Sequence, residues 1–152
     1  MRTGVRLGID VGTVRIGVAR SDFHAILSTP VGTVSRGHGA VPEIVKMIQD
    51  LDAMEVVVGL PLALSGAHTA STQDAEDFAT HLANSIAVPV RLVDERLSTV
   101  SAQNALHSAG RNTRTSRPII DQVAATIILQ HALDVERSSG NPPGDLIVPD
   151  EG

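Results

Sequence analysis

Leu7-Gly8-Ile9-Asp10-Val11-Gly12-Thr13-Val14-Arg15-Ile16-Gly17-Val18-Ala19-Arg20 holds one acid, Asp10, in an otherwise apolar strand pattern. Val5, Leu7 and Ile9 alternate with Arg6 and Gly8, the period of two that a β-strand shows when one face is buried. Gly12 and Thr13 supply a turn, and residues 16–19 read as a second strand returning beside the first. Asp10 therefore falls where a strand ends. A carboxylate there is either solvated, or it is a metal ligand or general base whose glycine neighbours let a phosphate approach the backbone. For Gly12 the expectation is a positive φ or a close approach to substrate phosphate.

Outward from this hairpin, Pro30 reads as a break and residues 31–35 as a third strand, which gives an antiparallel meander. Pro42 opens a helix with Ile44, Val45, Ile48 and Leu51 at helical spacing. Val56-Val57-Val58 is uniformly apolar, as suits a strand covered on both faces. A helix over 72–84 carries Ala75, Phe78, Ala79 and Leu82 on one side, and residues 90–93 form a further apolar strand that stops at Asp94-Glu95-Arg96. Strand, helix, strand implies a parallel crossover. A helix is expected over 100–109, ended by Gly110. A last helix over 119–136 has Pro118 in its first turn and packs through Ile120, Val123, Ala124, Ile127 and Leu133. Residues 1–137 read as one domain, and 138–152, rich in Gly and Pro, as a mobile tail with 146–148 touching the body.

Composition narrows the function. The chain has 152 residues, about one domain, with no cysteine and a net charge of −5. No apolar run approaches the ~18 residues of a membrane span. Asp10 and Arg15 interrupt the region where the apolar core of a secretory signal would lie. The expectation is a cytoplasmic protein without membrane contact, its lack of cysteine consistent with a reducing compartment. Lys46 is the one lysine among 12 basic residues. Arg111, Arg114 and Arg117 stand three apart in an acid-free loop over 110–118, either solvated surface or a set of phosphate forks. Phe23 and Phe78 are the only aromatics, so base-stacking platforms are not expected. The six histidines have no ligand spacing.

Asp10 ends the first strand, Asp94 and Glu95 end the last one, and Asp121 opens the final helix. If the strands at 5–10 and 90–93 are parallel members of one sheet, these acids lie at one edge, where α/β proteins bind ligands. Each has a plain alternative: Asp121 can favour its helix dipole, and Asp94-Glu95-Arg96 can be a solvated turn. Acids brought together need a cation, and Mg2+ or Mn2+ suits a few carboxylates with water and phosphate.

Four motifs then carry a resemblance, in order and in register from about Val5 to Leu133. They are Gly8-Ile9-Asp10-Val11-Gly12 with Arg15-Ile16-Gly17-Val18-Ala19, then Val58-Gly59-Leu60-Pro61, then Asp94-Glu95-Arg96-Leu97-Ser98-Thr99, and last the run from Ile120 to Gln130 that starts Ile120-Asp121-Gln122. The chain resembles the YqgF family of pre-16S rRNA nucleases, also described as Holliday-junction-resolvase-like. The resemblance implies an α/β RNase H-like fold, a mixed five-stranded sheet flanked by helices, and a metal-dependent nuclease site on Asp10, Glu95 and Asp121. Thr115-Ser116-Arg117-Pro118 departs from the family, whose members tend to be rich in Lys and Arg there.

The expected reaction is phosphodiester hydrolysis by water activated by one or two Mg2+ or Mn2+ ions, about 3.5–4 Å apart when two are bound. Asp10, Glu95 and Asp121 would hold the metal, and Gly12, Arg96, Arg111, Arg114 and Arg117 would meet the nucleic acid. Asp94 is the weaker candidate, since successive strand residues point to opposite faces. The expected substrate is pre-rRNA, with branched DNA as the alternative, and a homodimer is left open. Two rivals remain. Gly8 to Thr13 also looks like the first phosphate loop of sugar kinases and actin-like proteins, but those close two lobes on a nucleotide and this chain has length for one. A nucleic-acid-binding module without catalysis is the other.

Overall fold

The computed structural model describes residues 1–96 and 113–148, with side chains described at 1–96 and 122–148. Six strands form one mixed sheet in the order β3-β2-β1-β4-β5-β6: β1 Arg6–Val11, β2 Arg15–Ser21, β3 Ser28–Ser35, β4 Glu55–Leu60, β5 Val90–Asp94 and β6 Asp145–Leu146. β1, β4 and β5 run parallel, and β2, β3 and β6 extend the sheet antiparallel at its two sides. The described residues form three helices, α1 Ala40–Leu51, α2 Ala70–Ser85 and α3 Thr113–Ser139. The helix expected over 100–109 lies outside the described residues.

The period of two in β1 sorts its side chains onto two cores. Leu7 and Ile9 join Val18, Val56, Val58 and Val90 beneath Ile44 and Ile48 of α1 and Phe78 and Leu82 of α2. Burying each of these apolar side chains contributes about 1.5–3 kcal/mol. Val57 and Val93, which alternate with that set, face α3 and pack on Ala125, Ile128, Leu129 and Ala132. Gly8 lets α3 come close, since a Cβ there would stand 2.6 Å from Leu129 Cβ and 3.0 Å from the Ala125 carbonyl. The buried stripe of α3 thus runs through 125, 128, 129 and 132, and Val123 and Ile127, expected to pack, are only half-buried. A helix apolar around most of its circumference does not fix its own rotation; the notch at Gly8 does.

Several features differ from the sequence reading. α3 starts at Thr113 and not near 119, so Pro118 and Asp121 lie beyond its first turn, and α1 starts at Ala40, two residues before Pro42. Pro30 pairs with Ala19 inside β3 instead of breaking it. β3 is an edge strand, where a residue without an N–H costs no ladder bond. α2 starts before residue 72 because Thr69 caps it: the Thr72 N–H donates to Thr69 Oγ1 and the Thr69 N–H donates to Thr72 Oγ1. The sheet has six strands instead of five. The sixth lies in the segment read as a tail, where Leu146 pairs with Arg91, the Ile147 N–H donates to the Val90 carbonyl at 2.9 Å, and Ile147 packs on the core.

The edge of the sheet at the start of β1 and β4 is locked by charge. Glu55, fully buried, accepts from Arg2 Nη1 and Nη2 at 3.0 Å each and from Arg91 Nε at 2.9 Å. Glu136 of α3 accepts from Arg2 and, at 2.8 Å, from the buried Arg6. Pairing and multiple hydrogen bonds are what make such buried ions tolerable.

Candidate active site

The opposite edge, where β1, β4 and β5 end, gathers the acids. Asp10 sits in β1, its backbone paired with Gly17 of β2, and is half-buried. It has the same parity as Arg6, which meets Glu136 of α3, and Gly8, which meets Leu129, so it belongs to the α3 face. Ile9 pairs with Val58, so the next step along the two strands sets Asp10 beside Gly59.

Glu95 immediately follows β5, its N–H donating to the Leu60 carbonyl at 3.2 Å, and its side chain is buried. That side chain folds back over β4: a Cβ on Gly59 would collide with Glu95 Oε2 and lie 2.6 Å from Ile128 Cδ1. Asp10 and Glu95 are thus brought to neighbouring positions on one face. Gly59 belongs to a motif quoted from the sequence but was given no role there. The sign that could have found it is a glycine at the end of a buried strand, where a missing side chain admits another group.

Asp121 lies in α3 by its backbone, and its side chain is outside the described ones. As β1 advances from Arg6 to Gly8, its partners on α3 move from Glu136 back to Leu129 and Ala125. One further helical turn back, in the direction of Asp10, is position 121. Among the described residues, no three His, Asp or Glu side chains form a metal-holding group.

Asp94 is set apart from Glu95. It is exposed and clasped by Arg96, with Nε 2.9 Å and Nη2 2.6 Å from Asp94 Oδ2. The hydrogen bonds from Arg96 hold its carboxyl below the ordinary range. Arg96 Nη1 also donates to the Leu64 carbonyl at 3.2 Å, and with Leu64, Asp94 and His131 the guanidinium lines a cavity of about 390 Å³. Arg114 and Arg117 stand in the first two turns of α3 by backbone, not in a loop, while Arg111 lies outside the described residues.

Gly12 does not have the positive φ that was one expectation. It is needed by its own hairpin: its N–H donates to the Arg15 carbonyl at 3.0 Å, and a Cβ would stand 2.5 Å from that oxygen. The sequence reading missed Arg36, whose Nη1 donates to the Gly12 carbonyl at 2.9 Å.

Chemically, this edge offers carboxylate oxygens fixed on strands and a notch at Gly59 that one of them fills. Such an all-oxygen donor set fits a hard divalent cation of the Mg2+ or Mn2+ kind.

Comparison with known proteins agrees with this architecture. The RuvX family model, described as Holliday junction resolvase, matches residues 4–135. A protein of Leifsonia xyli subsp. xyli named "Putative pre-16S rRNA nuclease" is 60% identical over 151 residues, covering 98% of this chain and 97% of that protein. A Nocardioides sp. protein of the same name is 49% identical over 153 residues, covering 97% and 98%. Among solved structures, T. thermophilus RuvC in complex with Holliday junction substrate superposes with a TM-score of 0.57 at 16% identity, over 95% of this chain and 99% of that one. At that identity the likeness concerns the fold, and it supports the RNase H-like α/β reading. The match over residues 4–135 and the identity to full-length relatives place the chain in the RuvX family, the YqgF-type proteins that its motifs resemble.

Proposed function

We propose that this chain is a divalent-metal-dependent nuclease that hydrolyses phosphodiester bonds in precursor 16S rRNA, acting in the bacterial cytoplasm. The observation that carries the reading is Glu95 folded over Gly59 onto the face of the sheet that Asp10 takes. A buried carboxylate over a strand glycine has no packing purpose that an apolar residue would not serve better. The names of the Leifsonia and Nocardioides relatives point to the substrate.

Asp10, Glu95 and Asp121 would hold one or two Mg2+ or Mn2+ ions, which when bound supply Lewis acidity and an activated water. The chain's own part is to fix those oxygens. Asp10 is held by strand pairing with Gly17, and Glu95 by its N–H on Leu60 and the wall of Ile128. Arg111, Arg114 and Arg117 would contact phosphates flanking the cut. Arg96 would add positive potential without leaving Asp94. Gly12 would let the turn after Asp10 lie against the substrate backbone.

The test is a cleavage panel with Mg2+ or Mn2+: RNA spanning the 5′ end of mature 16S rRNA, an unrelated single-stranded RNA, and a four-way DNA junction. The reading expects cleavage of the first, lost in Asp10→Asn and in EDTA. Preferred cleavage of the junction would move the substrate to branched DNA. Binding without cleavage would make the chain a binding module.

A further inference from the structure

Arg36, the residue after β3, ties three elements together beside the site. Its N–H donates to the Val14 carbonyl at 3.0 Å, and Nη1 donates to the Gly12 carbonyl at 2.9 Å. The same guanidinium grips Asp74 of α2 as a fork, Nη1 to Oδ2 at 2.9 Å and Nη2 to Oδ1 at 3.0 Å, with its Cζ 5.5 Å from the Phe78 ring centroid. The turn it holds starts two residues after Asp10, and Thr13 and Val14 at its tip are exposed.

Both partners are partly open to solvent, with side chains 27% and 38% exposed. An ion pair this open adds little to global stability. What a bidentate fork does provide is orientation, because a planar guanidinium fixed on one carboxylate has a defined direction for its remaining donors. Here Nη1, which donates one N–H to Asp74, directs its other toward the Gly12 carbonyl of the turn.

We infer that Arg36 is a positioning residue that fixes the Gly12–Val14 turn for contact with the nucleic-acid backbone, acting through the Gly12 carbonyl and anchored by Asp74. This rests on the proposed nuclease reading. Asp10 is placed by pairing with Gly17 and not by Arg36. Loss of Arg36 therefore weakens substrate capture and leaves the hydrolytic step.

The test measures steady-state cleavage of the fluorescent 16S 5′-end RNA and four-way junction with Mn2+, for wild type, Arg36→Met, Arg36→Lys, Asp74→Ala and the Arg36→Met/Asp74→Ala double variant. Folded fraction is followed by circular dichroism. Arg36→Met is expected to raise KM roughly tenfold, as befits loss of one charge-assisted hydrogen bond, with kcat within about twofold. Arg36→Lys, which keeps the charge but not the fork, restores KM only in part. The double variant is expected to match Arg36→Met alone, because the two residues act as one unit. Unchanged KM with kcat falling in step with folded fraction would reduce Arg36 to a structural residue. Additive effects would break the link through Asp74. If Arg36→Met does not fold, Arg36→Lys and Asp74→Ala decide between the same outcomes. A wild-type chain that cuts neither substrate overturns the nuclease reading and this inference with it, whereas an active wild type with unaltered variants overturns this inference alone.

Discussion

Glu95 Oε2 occupies the space in which a side chain on Gly59 would stand. A strand glycine and an acid 36 positions later in the chain are thereby coupled: Gly59 cannot gain a side chain without displacing the Glu95 carboxylate.

Gly59→Ala should show this. The new methyl overlaps Glu95 Oε2 and Ile128 Cδ1, and overpacking of this kind costs about 1–3 kcal/mol, which a domain of ordinary stability survives. The carboxylate has to swing out, and a misplacement of about 1 Å at a reacting centre can cost on the order of 100-fold in rate. Gly32→Ala is the control, since a Cβ there meets nothing within 4 Å. Cleavage rate and melting temperature for both variants check the expectation; equal activity would detach Glu95 from the chemistry.

Asp10→Asn separates a metal site from unrelated surface acids. If Asp10, Glu95 and Asp121 converge, the metal-free protein carries their mutual repulsion and the variant relieves it, so stability should stay level or rise by up to about 1 kcal/mol, where most substitutions destabilise. With Mn2+ at about 100 times its Kd, wild type should gain about 2.7 kcal/mol and the variant much less. Thermal melting across a Mg2+ or Mn2+ titration reads the difference. Equal metal-induced shifts would remove Asp10 as a ligand.

The edge far from the acids should govern acid stability. Burial pushes the Glu136 carboxyl up, but the hydrogen bond from Arg2 and the charges of Arg6 and Arg2 outweigh it and hold the group below its ordinary value. A carboxylate depressed in the native state stabilises above its unfolded pKa of about 4.3 and loses that contribution as pH falls through the lower native value. Glu136→Gln leaves Arg6 buried without its anion and should cost about 3–5 kcal/mol at pH 7. The gap to wild type should narrow below about pH 4. Urea titrations at pH 7 and pH 3 measure it; a gap that does not change with pH would rule out the linkage.

Arg111, and Arg114 and Arg117 in the first two turns of α3, are expected to meet phosphates without reading bases. Replacing Arg111, Arg114 and Arg117 together by Ala should lower the slope of log affinity against log salt by about 0.7–0.9 for each phosphate no longer neutralised, with little change in sequence preference. Salt titrations of binding in EDTA isolate this from cleavage. A wild-type slope would make the three arginines ordinary surface.

The parallel part of the sheet was legible because its strands are short, apolar and bounded by Gly, Pro or acid: Val56 to Val58 and residues 90–93 announce themselves, and period two already separated Asp94 from Glu95. β6 was not, since two residues, Asp145 and Leu146, carry no period and sit among Gly and Pro. Arg36 was also hidden. Its partners, Gly12 and Asp74, lie 24 and 38 positions away, and they meet only once β3 has paired beside the hairpin and α2 has crossed the sheet. Gly12 was read correctly as a turn glycine, but the oxygen that excludes a side chain there belongs to Arg15 of its own chain.

α3 can be regarded mechanically as a cantilever. Arg2 and Arg6 clamp it at Glu136, the notch at Gly8 is its fulcrum against Ala125 and Leu129, and position 121, the proposed load, lies one turn beyond that fulcrum. Fifteen residues separate clamp from load, about 22 Å of helix. A rigid rod transmits axial slip undiminished, so a shift of the Arg6–Glu136 pair along the helix reaches Asp121 at full size. On the proposed reading of Asp121 as a ligand, tolerance to substitution at the buried ion cluster is set by what position 121 can bear, 15 residues along the helix.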